Sequence, residues 1–153
     1  MTRAGQKRTS DKAQTSFTGL RFLYVGSKKF DADLAYFRDS LRAELVWNVK
    51  AFGARVAAFR TGDGPLLLLA DHRPAPSCLP IFEVENLERT LRELKARRAS
   101  PERGPFEIPN GPCCVFKDPS GNEFGIFEDV RPNAMEDAHP KQRDAKAPRR
   151  AGK

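Results

Sequence analysis

Apolar residues recur along the chain in two rhythms, and the order of those rhythms predicts its architecture. Residues 20–25 (LRFLYV) form a short β-type run. Phe30-Asp31-Ala32-Asp33 then opens a helix with acids in its first turn, and Leu34, Phe37 and Leu41 follow at spacings of three and four, predicting one buried stripe. Residues 43–52, 55–61 and 66–70 read as three strands, separated by turns at Phe52-Gly53 and Gly62-Asp63-Gly64-Pro65. The last of them, LLLLA, lacks alternation, which predicts burial on both faces.

From Leu79 the rhythm repeats. The stretch HRPAPS, residues 72–77, carries two prolines and reads as a linker. Residues 79–84 form a strand, Asn86 is a good N-cap, and Leu87, Leu91 and Leu94 share one face of the helix that follows. Arg89, Arg92, Glu93, Lys95, Arg97 and Arg98 cover the wet side of that helix. Residues 99–111 read as a loop with a short extended stretch, Phe106-Glu107-Ile108, and residues 113–117 and 123–128 supply a final hairpin. The chain therefore predicts an α+β fold of two βαβββ modules, residues 20–72 and 78–129.

Charge changes the picture at the ends. Residues 1–19 and 130–153 between them carry the whole net charge of +7, so residues 20–129 are neutral. Both ends are polar and unpatterned, and both read as disordered basic tails. A basic composition of this kind supports a nucleic-acid partner when a folded surface or a known motif carries it, and neither is visible, so no specific nucleic acid is expected. No apolar run approaches the length of a membrane span and the N-terminus has no secretory pattern, so the expected location is cytoplasmic with no membrane partner. Cys78, Cys113 and Cys114 make a poor disulfide framework; adjacent on a strand, Cys113 and Cys114 face opposite ways and read as small core residues.

The most informative stretch is DPSGNEFGIFE, residues 118–128, in which an Asp-Pro-Ser-Gly-Asn turn leads into a strand with Phe124 and Ile126 on one face and Glu123, Gly125 and Phe127 on the other. Gly125 stands where a larger side chain is expected, which predicts open space or close backbone approach. This turn, together with Tyr36-Phe37-Arg38-Asp39 on the first helix, resembles the vicinal-oxygen-chelate superfamily of glyoxalases, bleomycin-resistance proteins and extradiol dioxygenases. The resemblance covers about residues 20–129 and implies an open cup of strands with the helices outside, a small-molecule ligand and a homodimer.

The resemblance also implies four inward metal ligands, on the first, fourth, fifth and eighth strands. Those positions fall here on Leu20, on a fourth strand without a carboxylate, on Leu79 and on Gly125. No metal ligand and no cofactor is therefore expected. Alternation turns Leu20, Phe22 and Tyr24, then Leu79, Ile81 and Glu83, then Glu123, Gly125 and Phe127 into the cup, with Trp47 joining them from the second strand. The expected ligand-binding set is Phe22, Tyr24, Trp47, Ile81, Glu83, Glu123, Gly125 and Phe127, an aromatic and apolar site with carboxylates, suited to a flat or cationic small molecule. The leading expectation is a metal-free binding protein of bleomycin-resistance type. The alternative is a glyoxalase-like lyase or isomerase, or a dioxygenase, with a displaced metal site or Glu83 as general base.

Overall fold

A computed structural model of the chain describes residues 15–51 and 53–140. Two βαβββ modules follow one another. The first comprises β1 (Phe17–Gly26), α1 (Phe30–Ala35) with a π-helical turn (Tyr36–Ser40), β2 (Glu44–Ala51), β3 (Ala54–Arg60) and β4 (Leu66–Ala70). The second comprises β5 (Cys78–Val84), α2 (Leu87–Ala96), β6 (Arg103–Ile108), β7 (Gly111–Lys117) and β8 (Glu123–Glu128), after which comes a short α3 (Ala134–Ala138). No helix among the described residues is long and apolar enough to cross a membrane.

All eight strands join one sheet in the order β2-β3-β4-β1-β5-β8-β7-β6. In each module the first and last strands pair in parallel, β1 with β4 and β5 with β8. The modules meet where β1 runs antiparallel to β5. One chain thus builds the whole curved sheet, and the α+β cup has α1 and α2 on its outer face, while α3 lies against the inner face.

That division of faces follows from the apolar pattern. Phe30 and Leu34 of α1 pack on Ala57, Phe59 and Leu69, with Val25, Leu45 and Leu67 alongside. In the second module Leu87, Leu91 and Leu94 of α2 pack on Val84, Cys114, Phe116 and Ile126. The alternate residues of the same strands form the inner face, where Phe22, Leu79, Ile81, Cys113, Val115 and Phe127 make one cluster and Val46, Trp47 and Ala58 make another. Leu66 and Leu68 bridge the two. Cys113 and Cys114 lie on opposite faces and both are buried and free, while Cys78 is exposed.

Local chemistry explains the joints. In the Asp118 turn, Oδ1 accepts from the N–H groups of Ser120 (2.9 Å) and Asn122 (2.8 Å), and Gly121 adopts φ 93°. At the start of α2, Asn86 Oδ1 accepts from the N–H of Arg89 at 2.8 Å and Glu128 Oε1 accepts from that of Leu87 at 2.9 Å. Two otherwise unpaired helix donors are satisfied, one of them from the neighbouring strand β8.

The structure departs from the sequence pattern in four places. The helical stripe stops before Leu41, which is 52% exposed. Leu41 N–H donates to Tyr36 O at 2.9 Å, a five-residue step that widens the turn and rotates Leu41 away from the core. The extended stretch expected at residues 106–108 within the 99–111 loop is longer in the structure, since the edge strand β6 starts at Arg103 and pairs with β7. Strand β1 begins at Phe17, inside the expected N-terminal tail, and Phe17 stacks on Phe82 at 5.0 Å between centroids. The C-terminal tail expected from residue 130 is also structured as far as it is described: Arg131 is fastened to the β6–β7 turn and Met135 of α3 packs beside Trp47. Residues 1–14 and 141–153, the remainder of both expected tails, lie outside the described residues.

Candidate functional site

The inner face is largely filled. Phe22, Leu79, Ile81, Val115 and Phe127 are each at most 7% exposed, and Phe22 and Phe127 lie 5.4 Å apart between ring centroids. Open space remains toward the β2 side, as a cavity of about 370 Å³, at the small end of the range for ligand pockets. Its floor is Leu20, Arg21 and Phe22 of β1 with Leu66 of β4; Trp47 and Arg60 form one side, and the turn Asp63-Gly64-Pro65 another. Asn110, Asn133, Met135 and Glu136 close it from the second module and the C-terminal segment.

Two register breaks aim the floor. Between the pairs Leu20↔Phe82 and Phe22↔Ile81, β1 advances two residues while β5 advances one. This bulge makes Arg21 the extra residue and turns it inward. Arg21 Nη1 donates to Glu83 Oε1 at 2.5 Å and to Asp129 Oδ2 at 3.3 Å, and its guanidinium lies 5.6 Å from the Phe22 centroid and 5.7 Å from that of Phe127. Burial pulls the Arg21 pKa down, but the two carboxylates outweigh it and the net shift is upward. On β2 a second break, between Leu45 and Trp47, sets Trp47 against Ala58 on the inner face. Trp47 is 4% exposed and its Nε1–H is buried with no hydrogen-bond partner among the described residues.

The eight residues expected to bind ligand are placed unequally. Phe22 and Trp47 line the cavity. Tyr24, Ile81 and Phe127 belong to the packed cluster beside it. Burial raises the Tyr24 pKa, with Arg73 above its ring countering, and Tyr24 Oη shares a 3.0 Å hydrogen bond with His72 Nε2. Glu83 is tied to Arg21, and Glu123 to Arg103 at 3.4 Å; neither lines the cavity. Of the two alternatives expected at Gly125, open space is absent and close approach is found: a Cβ there would lie 3.3 Å from Ile81 Cγ1 and 3.4 Å from the backbone oxygen of Cys114. Gly125 is the register partner of Ile81, which occupies that room itself.

Alternation missed Arg21, because a bulge leaves no mark in the hydrophobic pattern. It also missed Asn110, Asn133, Met135 and Glu136, which reach the cavity from turns and from a segment too polar to read as structure. The Gly-Asp-Gly-Pro turn was visible, but not which strand end it would overhang.

The metal expected of such a fold does not fit these residues. Leu79 is packed in the core, β4 offers LLLLA, and Gly125 has no donor. Among the described residues no three His, Cys, Asp or Glu side chains converge. The inner carboxylates Glu83 and Asp129 are already paired with the Arg21 guanidinium, so neither is free to ligate a cation.

With fold and cavity in view, the family follows from comparison. Residues 20–126 match the model of the Glyoxalase/Bleomycin resistance protein/Dioxygenase superfamily, and the chain belongs to that superfamily. Similar solved structures include methylmalonyl-CoA epimerase from Mycobacterium tuberculosis, 17% identical with a TM-score of 0.66 over 80% of this chain and 95% of that one. A hypothetical protein from Bacillus halodurans is 12% identical with a TM-score of 0.62, over 73% and 94%. A superfamily member from Vibrio splendidus is 17% identical with a TM-score of 0.52, over 72% and 99%. At these identities the likeness is one of fold. No curated protein sequence matches the chain.

Proposed function

We propose that this protein binds a small, flat, positively charged organic molecule in the 370 Å³ cavity, without a resident metal, in the manner of a bleomycin-resistance protein. The observation that carries the reading is the distribution of charge around the cavity. Both of its arginines are engaged, Arg21 by Glu83 and Asp129 and Arg60 by Glu44 at 3.7 Å. Its two carboxylates, Asp63 and Glu136, have no ion-pair partner among the described residues. A cation therefore meets unneutralised negative charge, with the aromatic groups of Trp47 and Phe22 also lining the cavity.

The enzymatic alternative asks Glu83 to act as general base. Glu83 is held at 2.5 Å by Arg21 and lies outside the cavity lining, so proton abstraction would first require that pair to break. Binding is the reading these contacts favour.

The test is a matched pair of probes of one ring size, N-methylquinolinium and naphthalenesulfonate, followed by thermal shift and by quenching of Trp47 fluorescence. The cation should raise the melting temperature and quench Trp47, and the anion should do neither. Equal effects, or none from the cation, would remove the charge argument.

A further inference from the structure

The wall that closes the cavity comes from beyond the last strand, and its attachment changes abruptly. Arg131 is fixed: Nε donates to Pro109 O at 2.8 Å, Nη2 to Glu107 Oε1 at 2.6 Å and to Ile108 O at 3.1 Å, and the backbone N–H to Asn110 O at 2.9 Å. Past Arg131 no such side-chain fastening is made among the described residues. Asn133 adopts a left-handed φ of 58° and begins α3, a helix of five residues with no side-chain cap. So short a helix is not stable by itself. Among the described residues, Met135 is the member of α3 that joins it to the apolar cluster of Val46, Trp47 and Ala58 on the sheet.

Beneath Met135 lies the second observation. Trp47 Nε1–H is a strong donor, buried and unpaired among the described residues. Buried donors are normally satisfied, and because Trp47 also lines the cavity, its N–H is available to an acceptor that enters there.

We propose that residues 133–138 form a movable wall of the binding site, hinged at Pro132 and Asn133. Lifted, the wall uncovers Trp47 and admits an organic cation carrying a hydrogen-bond acceptor. Closed, it brings Glu136 to the ligand's charge, while Trp47 Nε1 donates to the acceptor. The ligand class rests on the binding reading above; the motion of the wall does not.

Trp47 is the chain's one tryptophan, so a single indole N–H signal reports on the wall. Its exchange with solvent is measured in the full chain, wild type and two variants. Met135→Ala loosens the contact, and Asn133→Gly frees the hinge while keeping the left-handed backbone accessible. Both should speed indole exchange by about tenfold while the backbone amides of β1 and β5 keep their wild-type rates, as expected for local opening. Indole exchange as slow as those amides in all three proteins would mean the wall opens only with the whole fold, and the proposal would fall. With N-methylquinolinium added, wild-type indole exchange should slow, and Glu136→Gln should weaken that probe by roughly 3-fold without altering exchange in its absence. If the variants exchange faster but the probe does not bind, the wall stands and the cation reading fails.

Discussion

Arg21 donates to Glu83 across the inner face at 2.5 Å, although plain alternation along β1 points Arg21 outward. The bulge that turns it also brings it within 3.3 Å of Asp129, whose side chain is 8% exposed. One guanidinium thus serves two carboxylates between the packed cluster and the cavity.

Removing that guanidinium strands both partners. Arg21→Met should lower stability by about 1–2 kcal/mol in urea unfolding, less than for a fully buried pair because Arg21 and Glu83 keep solvent contact. Adding Glu83→Gln should recover part of the loss. Strictly additive losses would show that Arg21 and Glu83 are not coupled.

These residues also show where sequence reading reaches its limit. The repeat of βαβββ modules was legible because each strand and helix carries its own apolar period, and Val84, Leu87 and Ile126 pack as that period requires. The inward set on β5 and β8 was legible for the same reason, since Ile81 and Phe127 sit on regular stretches. Arg21 was not, because one inserted residue reverses facing without altering composition. Leu41 was misread through the π-helical turn, and Met135 because one apolar residue in a polar segment gives no period at all.

Gly125 gives a sharper test of packing. With Ile81 Cγ1 3.3 Å from where a Cβ would stand, Gly125→Ala should cost about 1 kcal/mol by overpacking. In an Ile81→Ala background the same substitution should become neutral or stabilising by a few tenths of a kcal/mol, on the order expected from lost unfolded-state freedom. Gly125→Glu should cost about 3 kcal/mol or more, because its carboxylate enters the inner core beside Ile81. Paired denaturant titrations of the four proteins in the cycle decide it, and a sign that does not change between backgrounds would refute the contact.

The start of α2 is held from two sides, and the contributions should separate. Asn86→Ala should cost about 1 kcal/mol by removing the acceptor for the Arg89 N–H. Glu128→Ala should cost about as much by freeing the Leu87 N–H, whereas Glu128→Gln, which keeps an acceptor oxygen, should cost only a few tenths of a kcal/mol. Because the donors differ, the two alanine losses should add within error in chemical denaturation.

The buried thiols predict how stability responds to alkali. Burial is the main cause that pushes Cys113 from 9.0 up to about 12, with Cys114 nearby adding to it and Arg103 opposing. Cys114 is raised too, by burial. Above pH 9 the unfolded chain releases the Cys113 proton while the folded chain keeps it, so the unfolded state binds fewer protons and stability falls as pH rises. The slope is bounded at about 1.4 kcal/mol per pH unit for each such thiol. Tyr24, raised by burial with Arg73 opposing, acts in the same direction at higher pH. Urea unfolding at pH 8, 9 and 10 should therefore show a decline that is shallower in Cys113→Ala, even though that variant starts lower for loss of packing. Under native conditions at pH 8, a thiol-specific reagent should modify exposed Cys78 and leave Cys113 and Cys114 until the protein is unfolded. Rapid modification of all three in the folded protein, or equal pH slopes in wild type and Cys113→Ala, would show that the inner face is far more open than the packing of Phe22, Cys113 and Phe127 allows.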